Sequence, residues 1–290
     1  MPNFQIVTDS CAHFGAGIVP DNVTVVPNTL IIGGHSYREG VDISDEGACA
    51  LMAAVPDVPT VLSPSVSDYA AVYERLARDC DGIISIHASR EMFDSWSHAQ
   101  VAAQPYTGRC RVIPIDSQNL STAQAMLVRL TAQAAAQQPT LDDLVRIARG
   151  AVDQLYTVFT VDSVEYVMHH RILPPSQSIL GAMLNIKPVL SMEHGRLIAI
   201  EKVRTRAQAI ERLVEFVMEF TEVIDAAIMQ PTTGLTEQGK LLQERLLVDF
   251  PGMSFIHTRY GASLAAFIGL DAIGLTVMEN PNTRIDHDDY

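Results

Sequence analysis

In the first half of the chain, short apolar runs of strand length alternate with amphipathic stretches of helical length, and this alternation leaves few folds open. Residues 4–8, 82–87 and 111–115 read as strands. Tyr69, Val72, Tyr73, Leu76 and Ala77 follow one another at helical spacing, and Ser65 with Asp68 marks the start of their helix. Ser95 caps a second helix running to Pro105. Residues 120–137 form a long helix rich in Ala and Gln. Thr140 caps another, with Leu141, Leu144, Val145, Ala148, Ala151 and Val152 on its inner side. Strands alternating with helices imply crossover connections and a mostly parallel sheet. Its strands end in Asp9-Ser10, Ala88-Ser89 and Asp116-Ser117. Ligands of open α/β sheets sit beyond such carboxyl ends. At Asp9-Ser10 a plain turn closed by the Asp9 side chain is an equal reading.

Residues 23–30 add one or two further strands, Gly33-Gly34 turns the chain, Ser44 caps a small helix, and residues 59–64 read as a loop. Residues 156–161 open a second, α+β domain. Asp162 and Glu165 have the spacing of a capping box for a helix to about Arg171. Met183, Leu184 and Ile186 then crowd together just before Lys187-Pro188. Proline restricts itself and its predecessor, so a short helix ends near Asn185 and the chain leaves extended through Val189 and Leu190. Glu193-His194-Gly195 is a tight turn into a second strand over residues 196–202. Thr205 starts a helix with Ile210, Leu213, Val214, Val217 and Phe220 inward. Strands follow at residues 223–229, 254–257 and 273–278, with Thr236 capping a helix between the first two. The domains are expected at residues 1–155 and 156–280, with a polar, disordered tail at 281–290.

A chain of 290 residues suits two domains. Its formal charge of −14 weighs against nucleic acid and anionic membrane as partners. Residues 260–278 have the length of a membrane span, but Asp271 and glycines interrupt them, so buried helix, turn and strand are expected there and no stable membrane insertion. The first residues lack a basic segment followed by an apolar one, and the expected location is the cytoplasm. Cys11, Cys49, Cys80 and Cys110 lack metal-ligand spacing and read as reduced, buried thiols. No motif for phosphate, dinucleotide or zinc binding or for a nucleophile elbow is present, so no cofactor or metal is implied. His169-His170 do not share a helix face and make a poor joint site.

The run Leu180-Gly181-Ala182-Met183-Leu184-Asn185-Ile186-Lys187-Pro188-Val189-Leu190 resembles the LGxLLNIKPIL box of the DegV family of bacterial fatty-acid-binding proteins. Its flanks, His169-His170-Arg171-Ile172 and Lys202-Val203-Arg204, are similar to that family's GGRI-like and K-x-R segments. Thr8-Asp9-Ser10 matches TDS, and residues 40–44 resemble DGVDIS, with Glu39 in place of its Asp. The resemblance covers residues 3 to about 278. It implies a two-domain α/β fold with a fatty acid in a tunnel between the domains. It also implies no catalysis by the chain itself, and presentation of a long-chain fatty acid or related lipid to a dihydroxyacetone-kinase-like kinase subunit.

The resemblance assigns lipid contacts to Asp9, Ser10, Leu184 and Ile186, and partner docking to Arg171 and Arg204. The family's polar head-group positions are altered here. Val61-Leu62, followed by Ser63, fall on the TSQPS motif. Phe93-Asp94-Ser95 fall on SGT, and Phe267 falls on the His of HTGPGALG. Each buried methylene contributes about 0.8 kcal/mol, but a buried carboxylate needs hydrogen-bond donors. The head group is therefore expected to differ or to be held in a modified way. Two other readings stay open. One is a small-molecule enzyme using Asp9, Asp116 or His169-His170. The other is an interaction protein whose tunnel is filled by Phe93 and Phe267.

Overall fold

A computed structural model describes residues 3–15, 19–108, 110–137, 140–173 and 186–280. Leu184, the helix expected to end near Asn185, and the tail at 281–290 lie outside the described residues. The chain divides into two compact units. The first is Met1–Asp153 with Gly261–Ser263, and the second is Gln154–Tyr260 with Leu264–Tyr290.

The first unit is built on a four-stranded parallel sheet. Its strands are β1 (Phe4–Asp9), β2 (Val23–Val26), β6 (Gly82–His87) and β7 (Arg111–Asp116), in the order β2-β1-β6-β7. Every residue of β6 is buried, as expected of a parallel strand covered on both faces. The covering helices include α2 (Val66–Leu76), α3 (Ser95–Ala103), α4 (Ser121–Ala135) and α5 (Leu141–Val152). Tyr69, Tyr73, Ala99 and Ala102 pack with Val7, Ile83 and Val112 into one core. Ser65 and Thr140 each close a capping box, with Asp68 and Asp143. Ser44 caps α1 (Asp45–Ala54).

Two readings of this half need correction. Residues 59–64 are not all loop. Thr60–Leu62 form β5, which pairs with β3 (Thr29–Ile32), and β3 pairs with β4 (His35–Arg38) in a small antiparallel sheet. A three-residue strand is too short to show a period. Ser95 is not a cap but the first residue of α3. Asp94 precedes it in a helical conformation without a side-chain cap, and the Asp94 amide donates to Ser63 Oγ at 3.0 Å.

The second unit carries a six-stranded mixed sheet, ordered β10-β9-β8-β13-β11-β12. Its strands are β8 (Leu155–Thr160), β9 (Lys187–Glu193), β10 (Arg196–Val203), β11 (Val223–Gln230), β12 (Ile256–Arg259) and β13 (Ile273–Glu279). Only the β11–β12 pair is parallel. The β9–β10 hairpin turns through His194 and Gly195, both at positive φ, as a two-residue turn of the primed type requires. The helices α7 (Arg206–Met218) and α8 (Glu237–Asp249) bring Ile210, Leu213, Val214, Leu242 and Leu246 onto Val158, Ile228 and Leu275. Residues 260–278 form α9 (Ala262–Ile268), a turn and β13. Among the described residues no helix is long and apolar enough to cross a membrane.

The capping box read at Asp162 is also corrected. The helix α6 (Glu165–His169) starts without a side-chain cap. Asp162 instead accepts from Lys187 Nζ at 2.6 Å and from the Arg206 guanidinium at 2.7 and 3.0 Å. Two cations outcompete one backbone amide for the carboxylate. Arg171 follows α6 at φ +56, which stops the helix short of the expected end.

Candidate functional site

In the first unit the carboxyl ends of β1 and β6 meet in a buried polar network. Asp9 ends β1 with no exposed surface. Its Oδ1 accepts from Cys11 N at 3.1 Å and Gln124 Nε2 at 3.2 Å. Its Oδ2 accepts from Ala88 N at 3.0 Å and His87 Nδ1 at 3.2 Å. With the His87 proton on Nδ1, Ser85 donates to Nε2 at 2.7 Å, and Tyr73 donates to Ser85 at 2.7 Å. The Tyr69 hydroxyl also reaches His87 Nδ1, at 3.2 Å. Asp9, His87 and Ser85 thus line up as in a hydrolytic triad. All three are fully buried and Tyr73 closes the far end, so no substrate atom has a place beside the Ser85 oxygen.

Beside this network lies a second cluster. Glu39, 5% exposed, accepts at Oε2 from the hydroxyls of Ser10 and Ser263, each at 2.6 Å, and at Oε1 from Ser263 N at 2.7 Å. The Asn28 amide nitrogen donates to Ser263 Oγ at 3.0 Å. Burial pushes the Glu39 carboxyl up to about 7, against the hydroxyl bonds that favour its ionised form. Ser10 and Glu39 form part of the wall of a cleft of about 340 Å³, with Phe14, Val19, Pro27 and Val41 as its apolar side.

The residues singled out in the sequence distribute as follows. Val61 and Leu62 lie on β5, Leu62 about half exposed. The Ser63–Asp94 bond and His98 Nδ1, which donates to the Pro64 carbonyl at 2.8 Å, join this loop to the Phe93–Ser95 segment. Phe93 and Ser95 are buried. Ser95 Oγ sits beside the Tyr69 hydroxyl without a well-aligned hydrogen bond. Phe267, in the second unit, packs on His170 with ring centroids 4.3 Å apart, and His170 Nε2 donates to the Ala266 carbonyl at 2.9 Å. Burial lowers the His170 pKa and favours this neutral donor. Ile186 is half-buried just before β9.

Arg171 and Arg204 are both exposed. Arg204 lines a cleft of about 620 Å³ with Glu201, Lys202, Gln208, Arg212 and Glu215. Asp116 accepts from Arg90 N at 3.2 Å and Gln118 N at 3.0 Å, and burial raises its pKa. Among the described residues no group of acidic, His or Cys side chains could hold a metal ion.

Sequence reasoning missed His87, Gln124 and the Asn28–Glu39–Ser263 cluster. His87 and Ser85 sit two residues apart on one strand and so share a face. That spacing was the available signal.

Residues 3–280 match the family described as "Uncharacterised protein, DegV family". The chain belongs to the DegV family. A DegV domain-containing protein of Streptomyces coelicolor is 30% identical over 94% of this chain and 97% of its own length. Among solved structures, the fatty acid binding DegV family protein of Streptococcus agalactiae superposes with a TM-score of 0.86 at 21% identity. It covers 97% of this chain and 100% of its own. The fatty acid kinase B3 protein of Streptococcus pneumoniae, loaded with linoleic acid, superposes with a TM-score of 0.82 at 16% identity over 97% and 100%. At these identities the two structures establish a shared DegV fold.

Proposed function

We propose that this DegV protein binds a long-chain fatty acid or related lipid and presents its head group to a dihydroxyacetone-kinase-like kinase subunit, with no catalytic step of its own. Membership of the DegV family over residues 3–280, with structural neighbours that include a fatty acid kinase B3 protein loaded with linoleic acid, carries this reading. The sealed Asp9–His87–Ser85 line supports the absence of catalysis. A partner that consumes ATP puts the pair in the cytoplasm.

The lipid's polar end is assigned to the joined loops of Val61, Leu62 and Ser63 with Phe93 and Ser95, and to Phe267. Leu184 and Ile186 take part of the chain. Ser10 belongs to the same polar surround, while Asp9, whose oxygens are all engaged, positions the loops around it. Ser10 donates its hydroxyl to Glu39, so Ser63, which accepts from Asp94 N and keeps its own proton, and the buried Ser95 are the hydroxyl donors left for an ionised carboxylate. A lost hydrogen bond to a charged group costs roughly 1.5–3 kcal/mol.

Mass spectrometry of an organic extract of the purified protein tests the proposal. A single class of acyl lipid should be released, and adding it back should raise the melting temperature. Free palmitate should bind more weakly than the extracted lipid. Val61→Thr with Phe93→Ser and Phe267→His should narrow that gap. No lipid in the extract and no shift across a broad acyl panel would reject lipid binding, and turnover of a small molecule would favour the enzyme reading.

A further inference from the structure

Cys80 and Cys110 precede β6 and β7, which run parallel and adjacent with Gly82 opposite Arg111. Their sulfurs lie 3.4 Å apart across a sequence separation of 30 residues. A disulfide holds its sulfurs about 2.05 Å apart, so closing the pair needs an approach of only about 1.4 Å. That is within a small rotation of each side chain. Both thiols are buried, yet Asp79, Asp81 and Arg111 around them are exposed, so the pair lies one layer beneath the surface. They stand at the amino ends of the strands, opposite the ends that carry Asp116 and His87.

We propose that Cys80 and Cys110 form an oxidation site, a dithiol that hydrogen peroxide closes to a disulfide. The first sulfur, as thiolate, attacks one peroxide oxygen. The O–O bond breaks, the protein sulfur becomes a sulfenic acid, and hydroxide leaves and takes up the thiol proton as water. The second sulfur then attacks the sulfenic sulfur, expelling a second water as the S–S bond forms. Two thiols are oxidised and one peroxide is reduced to two waters.

Peroxide is small enough for a buried pair that a bulky disulfide reagent reaches poorly. Burial and the Cys110 neighbour push the Cys80 thiol up to about 12, so the reaction is slow beside that of a dedicated peroxide-reducing thiol. The bond would close a long loop around α3 and constrain the unfolded chain.

The test treats the full chain with hydrogen peroxide under native conditions, then removes the peroxide and alkylates remaining thiols in denaturant. Of the four cysteines, only two should be alkylated. The intact mass should fall by about 2 Da, peptide mapping should join Cys80 to Cys110, and dithiothreitol should reverse the change. The oxidised protein should melt several degrees higher. Cys80→Ser and Cys110→Ser should each lose the cross-link and leave the remaining thiol to oxidise to acids. Overturning results are a cross-link elsewhere, one that forms only after unfolding, or oxidation of the partly exposed Cys49 with Cys80 and Cys110 untouched.

Discussion

At the scale of single residues, Glu39 makes the sharpest commitment. Its folded pKa of about 7 lies above the ordinary 4.5, so the folded chain holds this proton more tightly than the unfolded one. The contribution to stability is full below about pH 4.5 and is lost as pH rises through about 7. At 1.36 kcal/mol per unit the loss is roughly 3 kcal/mol. The groups facing the carboxyl are the hydroxyls of Ser10 and Ser263, the Asn28 amide and the Asp45 carboxylate, itself 3.5 Å from His13 Nδ1. Urea unfolding at pH 4.5, 6 and 7.5 should show wild type losing stability relative to Glu39→Gln across that window. Parallel curves would mean that Glu39 does not titrate there. Only part of this was legible in the sequence. Glu39 stood out as a departure from the family's Asp, but Ser263 is 224 residues away. Asp9 left a turn and a ligand contact open for the same reason, because Gln124 and Ala88 come to it through the tertiary fold.

Among the elements, glycines in regular structure separate close packing from open space. A Cβ on Gly274 in β13 would overlap the Phe159 ring and sit 2.8 Å from the Val158 carbonyl. Gly274→Ala should therefore destabilise the second unit by about 1–3 kcal/mol or more. Gly150 in α5 has nothing within 4 Å of its Cβ position, and Gly150→Ala should stabilise by about 0.5–1 kcal/mol through helix propensity. Thermal melts of the two variants should move in opposite directions. Elements longer than a full period were legible in the sequence. Thus α2 and α5 declared their buried faces and their N-caps, Ser65 and Thr140, and β6 its continuous apolar run. The three residues of β5 gave no period to read. Likewise β12 runs over Ile256–Arg259 rather than residues 254–257, because pairing with Ala227–Gln230 fixes its register.

For the whole molecule, the DegV fold was legible because its motifs spread along nearly the entire sequence. The substituted head-group positions were visible only against the family's pattern. The chain is strongly acidic, at −14, yet Arg171, Lys202 and Arg204 of the second unit are exposed. If these residues dock the kinase subunit, association should slow steeply as salt rises. Arg171→Glu with Arg204→Glu should lower the association rate at least tenfold while lipid binding persists. Capture at the normal rate, or an equal loss of lipid, would argue against docking there. The first unit ends at Asp153 but also includes Gly261–Ser263, which supply two of the donors to Glu39. A ribosome adds roughly 5–20 residues per second, so Ser263 is made about 5–20 s after Asp153. During that interval the nascent first unit holds a carboxyl that has Ser10 beside it but lacks both Ser263 donors. Its final locking is therefore a post-emergence event, and a chain truncated after Asp153 should remain in that unfinished state.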